Sequence, residues 1–207
     1  MKKRFILSIP LQGKGQLQEV IYDLDESCHF DFNLKTRFPI MPVLYNCCLE
    51  QDEIELVIIK FMHDNTKMNL ALFLEEFNRF LGERPGIAHT ITYIEVSGDE
   101  TKPAHKELFM KLIKCFHNDE MLYACITYGQ KPTPVVLFMA LVYAYRMMDG
   151  VEIGALVYGQ RIFGTDKSRL FNVMSLFYIN DVVTNISGLK SVSPDRQKEL
   201  LSMFLED

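Results

Sequence analysis

Residues 122–145 read LYACITYGQKPTPVVLFMALVYAY, and this stretch decides how the chain folds. The short apolar run Met121–Tyr128 is typical of a buried strand, and Gly129 marks the turn that ends it. Pro134–Met148 is almost wholly apolar and is long enough for a helix that is buried on most of its surface. The stretch therefore predicts a strand, a tight turn and a helix, which is the repeating unit of an α/β fold.

The rest of the chain repeats this alternation of strands and helices. Further strands are predicted at Phe5–Pro10, Gln18–Leu24, Ile54–Phe61, Thr90–Val96 and Val151–Tyr158. Helices are predicted at about Phe38–Leu49, Asn69–Leu81, His105–Phe116, Ser168–Ser187 and Pro194–Leu205, the last with Ser193 as its cap. We therefore predict an α/β fold: a Rossmann-like, mostly parallel sheet with helices on both faces in residues 1–165, and a short C-terminal helical extension in residues 166–207.

Composition narrows the class of protein. The chain has 207 residues, of which 48% are hydrophobic, so one domain with a sizeable core is expected. Its 22 basic and 27 acidic residues give a net charge of −5, which argues against DNA binding. The 5 cysteines include no Cys-x-x-Cys pair, so reduced thiols in a cytoplasmic protein are expected. The apolar run Phe5–Pro10 is too short for a membrane span or a signal sequence.

The turn after the strand has the features of an anion site. Thr133 is expected to cap the apolar helix, with Pro134 as its first residue. Backbone amides at such a helix start are unpaired, and the helix dipole adds positive potential there. Gly129 permits close approach of a ligand to the backbone, and Lys131 adds a mobile charge. The turn therefore predicts a site for a phosphate-bearing ligand, the alternative being an ordinary turn with a solvated lysine.

The segment Leu122–Gln160 resembles the CRISPR-associated Rossmann fold (CARF) family. Many members carry Asp-Ile-Thr-His-Gly-Phe-Arg-Ser-Leu-Pro, then an apolar helix, then a strand that ends in Tyr-Gly. The residues that agree with this pattern are Ile126, Thr127, Gly129, Lys131 (where the family has Arg or Lys), Pro134, Tyr158 and Gly159. The sequence departs from the pattern at Cys125, Tyr128 and Gln130, where the family has an acidic residue, a histidine and an aromatic residue. The lost histidine favours binding of a ligand over its cleavage.

The resemblance implies a sensor that binds a cyclic oligoadenylate, most often the tetra-adenylate, across the two-fold axis of a homodimer. Such a sensor signals to an effector in type III CRISPR antiviral defence, and residues 166–207 would be a dimer interface or a linker to an effector domain that this chain lacks. The loop after the first strand would supply the second half of the site. The ligand-binding residues implied are Ser8, Pro10, Leu11, Gln12, Gly13, Thr127, Tyr128, Gly129, Gln130, Lys131, Thr133 and Pro134. Tyr128 and Phe163 are further implied as walls for the adenines.

Two other functions are alternatives to a sensor. A ring nuclease would cut the same ligand by attack of a ribose 2′-hydroxyl on the adjacent phosphate, and an unrelated nucleotide-binding α/β domain is a third hypothesis. Arg84 and His89 have the Arg-x4-His spacing of a ribonuclease family, but Pro85 and Gly86 break any helix between them. Neither a zinc spacing nor a dinucleotide fingerprint is present in the sequence. We therefore predict no catalytic residue, metal ligand or cofactor.

Overall fold

The computed structural model describes residues 2–29, 31–162, 165, 167–189 and 192–205, and the chain divides into two compact units, Met1–Asn172 and Val173–Asp207. The strands described in the first unit are β1 (Lys2–Ser8), β2 (Ile21–Leu24), β3 (Glu53–Phe61), β4 (Ala88–Val96), β5 (Glu120–Cys125), β6 (Glu152–Arg161) and β7 (Lys167–Asn172). Its helices are α1 (Ile40–Cys47), α2 (Asp64–Glu83), α3 (Lys102–Cys115) and α4 (Pro132–Met147). The second unit contains α5 (Met174–Ser187) and α6 (Pro194–Leu205).

The strands of the first unit form one sheet in the order β2-β7-β6-β5-β1-β3-β4. Strands β4, β3, β1, β5 and β6 run parallel to one another, whereas β7 pairs antiparallel with β6 and β2 pairs parallel with β7. The parallel part has the strand order of a doubly wound fold, in which the direction of winding reverses between β1 and β5. The predicted α/β class with a Rossmann-like, mostly parallel sheet is therefore confirmed.

The central strands β1, β3 and β5 are buried on both faces because helices cover each side of the sheet. On β1, Phe5 and Leu7 belong to one apolar cluster with Phe73 and Phe77 of α2. The alternate residue Ile6 is equally buried but lies outside that cluster, because successive side chains of a strand point to opposite faces. Helices α3 and α4 pack against each other and against β4 and β6, with buried positions at Leu108, Leu112, Leu137, Ala140 and Leu141.

A buried arginine fixes the amino end of the sheet. Arg4 on β1 is fully buried, and its Nε and Nη2 donate to Glu120 of β5 at 2.9 and 2.6 Å. Its Nη1 lies 3.0 Å from Glu55 of β3. A buried charge is tolerated only when it is paired in this way, so the ion pairs tie the three central strands together at the edge opposite the candidate site.

Helix α4 begins earlier than the sequence predicts. Its first residue is Pro132, and Lys131 stands at the N-cap with no hydrogen bond from its side chain. The prediction of Thr133 as cap and Pro134 as first helical residue is therefore wrong. The reason is a turn in which the Thr133 amide donates to the Gln130 carbonyl at 2.8 Å, so that Pro132 takes the first helical position that suits its fixed φ.

The segment from Lys167 to Asn172 is a strand, whereas the sequence predicts a helix from about Ser168. Ser168 and Leu170 are buried while Lys167 and Arg169 are exposed, which is the period of a strand. Helix α5 begins only at Met174. In α6, the Arg196 amide donates to the Ser193 hydroxyl at 3.3 Å, which confirms Ser193 as its cap. In the part of the chain that the structure describes, no helix is long and apolar enough to cross a membrane.

Candidate functional site

The site predicted from the sequence lies where the winding of the sheet reverses. Strands β1 and β5 are neighbours, with Leu7 opposite Cys125, so the loops that follow them leave the same edge side by side. We call residues 9–17 the first loop and residues 126–131 the second loop. A crevice at the carboxyl ends of the strands where winding reverses is where open α/β sheets bind ligands.

Gly129 packs the second loop against the end of β1 and the start of α4. It has a φ of 115°, which only glycine adopts readily. A Cβ atom at this position would lie 3.1 Å from the Ser8 Oγ and 3.0 Å from the Thr133 Cβ. Thr133 is thus a packing partner of the second loop, and the glycine is required by both conformation and space.

The second loop offers amides that the sequence does not predict. Pro132 and Pro134 have no amide hydrogen, and the Thr133 amide is bonded to Gln130, so the first turn of α4 has none of the free donors expected of it. Within the described residues, however, the amides of Gly129, Gln130 and Lys131 donate to no acceptor. Donors for an anion are therefore available in the second loop, immediately before the first turn of α4.

Three side chains of the second loop and its strand hold the loop in position. The Thr127 hydroxyl accepts from the Gly159 amide at 2.8 Å and from the Cys125 thiol at 3.2 Å. Burial raises the pKa of Cys125, so its thiol is neutral and able to donate. The Gln130 side chain donates to the Gly98 carbonyl at 2.7 Å. Within the described residues, these bonds leave the Thr127 hydroxyl hydrogen, the Gln130 Oε1 and the free backbone amides of the loop available to a ligand.

Tyr128 braces the second loop from the core side. Its hydroxyl donates to the Arg37 carbonyl at 2.8 Å, and its ring lies edge-on to Phe38 with centroids 6.5 Å apart. Burial, followed by the nearby Cys125, raises the pKa of Tyr128 above its ordinary value, so the hydroxyl stays protonated. This arrangement suits a structural brace better than a stacking wall for adenine. Phe163, the other predicted wall, lies outside the described residues.

The first loop is held by two asparagines of α2. Asn69 is fully buried, and its Nδ2 donates to the carbonyls of Pro10 and Gln12 at 2.8 and 3.0 Å. The Nδ2 of Asn65 donates to the Leu11 carbonyl at 3.1 Å. The sequence did not predict a role for either residue, although an asparagine at a core-facing helix position is the signal that could have indicated one.

Two buried oxygens at the first loop have no hydrogen-bond partner in the part of the chain that the structure describes. They are the Oγ of Ser8, which is 2% exposed and lies beside Gly129, and the Oε1 of Gln12. A buried polar atom without a partner is costly, so each is a group for which a ligand or water would supply the missing bond. Both residues are among those that the sequence predicts to bind ligand.

The charge of the two loops opposes that of the whole chain. Residues 9–17 and 126–131 contain no Asp or Glu, although the chain has 27 such residues in 207. Lys14 and Lys131 are exposed in these loops. Arg161, at the carboxyl end of β6, donates to the Gln16 carbonyl at 3.0 Å and to the Gln18 side chain at 3.1 Å. The two loops are therefore cationic in an acidic protein, which favours an anionic ligand between them.

Part of the sequence pattern shared with the CARF family has a structural cause. A Cβ atom at Gly159 would lie 2.5 Å from the Pro39 Cγ and 3.1 Å from the Tyr22 ring. The same glycine donates its amide to Thr127, so the Thr127 and Gly159 positions depend on each other. The match of Thr127 and Gly159 to the family pattern is therefore explained by packing at the strand ends. It says less about which ligand binds.

The competing sites have no support among the described residues. Arg84 donates to the carbonyls of Cys48 and Tyr45 at 2.7 and 2.8 Å, and the His89 ring packs edge-on to Phe77. Each therefore has a local structural role. In the described ranges, no group of three or more His, Cys, Asp or Glu side chains that could hold a metal ion is found.

Comparison with models of known protein families finds no match for this chain, and comparison with curated proteins finds none either.

Proposed function

We propose that this chain binds a cyclic oligoadenylate, most readily cyclic tetra-adenylate, at a homodimer interface and signals to an effector in type III CRISPR antiviral defence in the cytoplasm. The observation that carries the proposal is the pair of acid-free loops at the winding reversal, one of which has free amides at Gly129, Gln130 and Lys131. Amides and a lysine at the carboxyl edge of a Rossmann-like sheet suit phosphate groups. The CARF-like sequence pattern supplies the class of phosphate ligand.

The surface of α4 supports the homodimer. Val135, Met139 and Tyr143 are 58%, 56% and 37% exposed, and their spacing of four residues puts them on one face of the helix. An apolar groove of about 450 Å³ runs beside them between α3 and α4 and includes Phe109 and Met110. A contiguous apolar face of this kind favours a protein partner. We assign that partner as a second copy of the chain, because α4 starts directly after Lys131 and a two-fold contact there would bring two sets of loops around one symmetric ring.

Binding is favoured over cleavage by what the site side chains do. Thr127, Tyr128 and Gln130 are bonded within the protein. The raised pKa of Tyr128 keeps its hydroxyl protonated, so no phenolate is present to act as a base and the hydroxyl is a weak acid. Lys131 could stabilise charge on a phosphate, but neither loop carries a histidine or carboxylate for proton transfer. The ring nuclease is therefore the second candidate, in which only the ribose hydroxyl and Lys131 would act.

The fate of the ring separates the two candidates. We propose incubating the protein with cyclic tri-, tetra- and hexa-adenylate for hours and following each ring by chromatography. A sensor returns the tetra-adenylate intact. Linear products that end in a 2′,3′-cyclic phosphate, formed by the wild type and not by Lys131→Ala, would show that the protein is a ring nuclease and contradict the sensor function.

A further inference from the structure

The first loop has an unusual orientation of its backbone. The carbonyls of Pro10, Leu11 and Gln12 are consecutive, and all three accept hydrogen bonds from asparagine side chains of one helix, α2. The donors are Asn65 for the middle carbonyl and Asn69 for the two outer ones. Three successive peptide groups therefore direct their oxygens toward the same helix.

This orientation fixes the direction of the amides. In a planar trans peptide, the carbonyl of one residue and the amide of the next point in opposite directions, and no described peptide bond is cis. The amides of Leu11, Gln12 and Gly13 therefore point away from α2. Within the described residues, those of Leu11 and Gln12 donate to no acceptor. Successive amides that converge on one side form an anion-binding concavity.

The third amide is occupied by a side chain of the loop itself. The Gly13 amide donates to the Oε1 of Gln16 at 3.0 Å, and the Gln16 amide donates back to the Gly13 carbonyl at 3.0 Å. Gln16 is exposed, so its side chain is free to leave without disturbing the core. An amide oxygen thus stands where a phosphate oxygen would be held.

We propose that Leu11–Gly13 is a phosphate-binding nest, that Asn65 and Asn69 are the residues that orient it, and that Gln16 is an internal competitor that a phosphate must displace. The unpartnered, buried Ser8 Oγ at the base of the loop is a further donor for the same phosphate. The inference rests on the proposed function for the identity of the ligand, but the nest itself would accept any accessible phosphate. It adds an autoinhibitory contact to the site.

Substitutions of Gln16 test the competitor directly. Gln16→Ala removes the competing oxygen and is expected to tighten binding of cyclic tetra-adenylate about fivefold, the factor that corresponds to one neutral hydrogen bond of about 1 kcal/mol. Gln16→Glu puts a carboxylate on the Gly13 amide and is expected to weaken binding about tenfold or more, because its bond is stronger and it repels phosphate. Gln51→Ala and Gln51→Glu, at an exposed turn, are the matched controls and leave affinity unchanged. Equal effects of both Gln16 variants, or no effect of either, would overturn the competitor.

A second measurement tests the phosphate-binding nest independently of the proposed function. We propose titrating the full chain, labelled with ¹⁵N, with inorganic pyrophosphate and following the amide resonances of Leu11, Gln12 and Gly13. A saturable shift of these amides that Asn65→Ala diminishes supports the nest even if no cyclic oligoadenylate binds. Binding of cyclic tetra-adenylate with no change at these three amides would overturn the nest and leave the proposed function standing.

Discussion

Gly129 is the residue on which the geometry of the candidate site depends most. It combines a φ of 115° with a close approach to Ser8 and Thr133, so two separate costs oppose any larger residue. Gly15, in the first loop, also has a positive φ, of 76°, but nothing lies within 4 Å of the position that its Cβ would take. Replacement of Gly15 would therefore cost backbone strain alone, whereas replacement of Gly129 would cost backbone strain and steric crowding.

Alanine substitution measures these two costs. We expect Gly15→Ala to lower the free energy of unfolding by about 1 kcal/mol, the usual cost of a non-glycine residue in this conformation. Gly129→Ala is expected to cost about 2 to 3 kcal/mol, since the methyl group must also displace Thr133 or Ser8. Urea denaturation of both variants checks the difference. A cost for Gly129→Ala no larger than that for Gly15→Ala would show that Gly129 is not packed closely against Ser8 and Thr133.

Among single residues, the sequence predicted the turn at Gly129 better than the amides that are free in that turn. Gly129 and Lys131 follow from a strand that ends in a Gly-x-Lys turn. The free amides of the turn do not, because the sequence pattern could not show that the Thr133 amide closes a turn on Gln130. Asn65 and Asn69 act through long-range bonds to loop carbonyls, and a pattern of neighbours along the chain does not report such contacts.

At the scale of elements, the central strands depend on the buried charge of Arg4. Removing one partner of a buried ion pair leaves the other charge uncompensated and costs about 3 to 5 kcal/mol. We expect Glu120→Ala to lower the free energy of unfolding by about this amount, measured by urea denaturation. Glu53→Ala, whose side chain is 65% exposed and 3.8 Å from Lys2, is the control and should change stability by less than about 1 kcal/mol. Equal effects of the two variants would contradict the central role of Arg4.

The same edge predicts a loss of stability in acid. Burial of Glu55 would raise its pKa, but hydrogen bonds from Lys2 and Thr92 and the charge of Arg4 outweigh burial and hold the pKa below its ordinary value of 4.5. Glu55 therefore binds fewer protons in the folded than in the unfolded chain. Its contribution to stability is complete above about pH 4.5 and is lost as pH falls through the lower folded-state pKa.

Glu55→Gln tests that contribution. We expect the free energy of unfolding of the variant to fall less steeply on acidification below about pH 4.5 than that of the wild type. Glu100→Gln, at an exposed position, should retain the wild-type slope. A Glu55→Gln slope identical to that of the wild type would show that Glu55 does not contribute to acid sensitivity.

The sequence predicts those elements that are determined by their own apolar pattern and misses those that depend on contacts with distant parts of the chain. Strands β3 and β5 and helices α2 and α4 are long apolar patterns, and each formed over most of its predicted range. Helix α2 begins at Asp64 rather than at the predicted Asn69, so its first turn, which carries Asn65, was missed. Strand β7 was not predicted from the sequence. Its short alternation of buried and exposed residues is stabilised by pairing with β6 and with the distant β2. A six-residue alternation that contains Arg, Leu and Phe is compatible with a helix until its neighbours in the sheet are known.

The proposed binding site needs two copies of the chain, because one ring would lie across a two-fold axis. We expect Met139→Glu to convert a dimer to a monomer in analytical ultracentrifugation and to weaken cyclic oligoadenylate binding, because it puts a charge in the centre of the α4 apolar face. Met62→Glu, at a side chain that is 70% exposed elsewhere on the unit, is the matched control and leaves both properties intact. A Met139→Glu protein that remains dimeric would exclude this face as the interface.

We propose that the two loops at the winding reversal hold the phosphates of one cyclic oligoadenylate. A calorimetric titration of cyclic tetra-adenylate into the wild type and into Lys131→Ala tests this, with Lys114→Ala, in the last turn of α3 at the opposite edge, as control. We expect saturable binding at one ring per two chains, wild-type affinity for Lys114→Ala, and at least a tenfold loss for Lys131→Ala, as is typical when a charged hydrogen bond to phosphate is removed. Absence of binding by the wild type, or unchanged affinity in Lys131→Ala, would contradict this proposal.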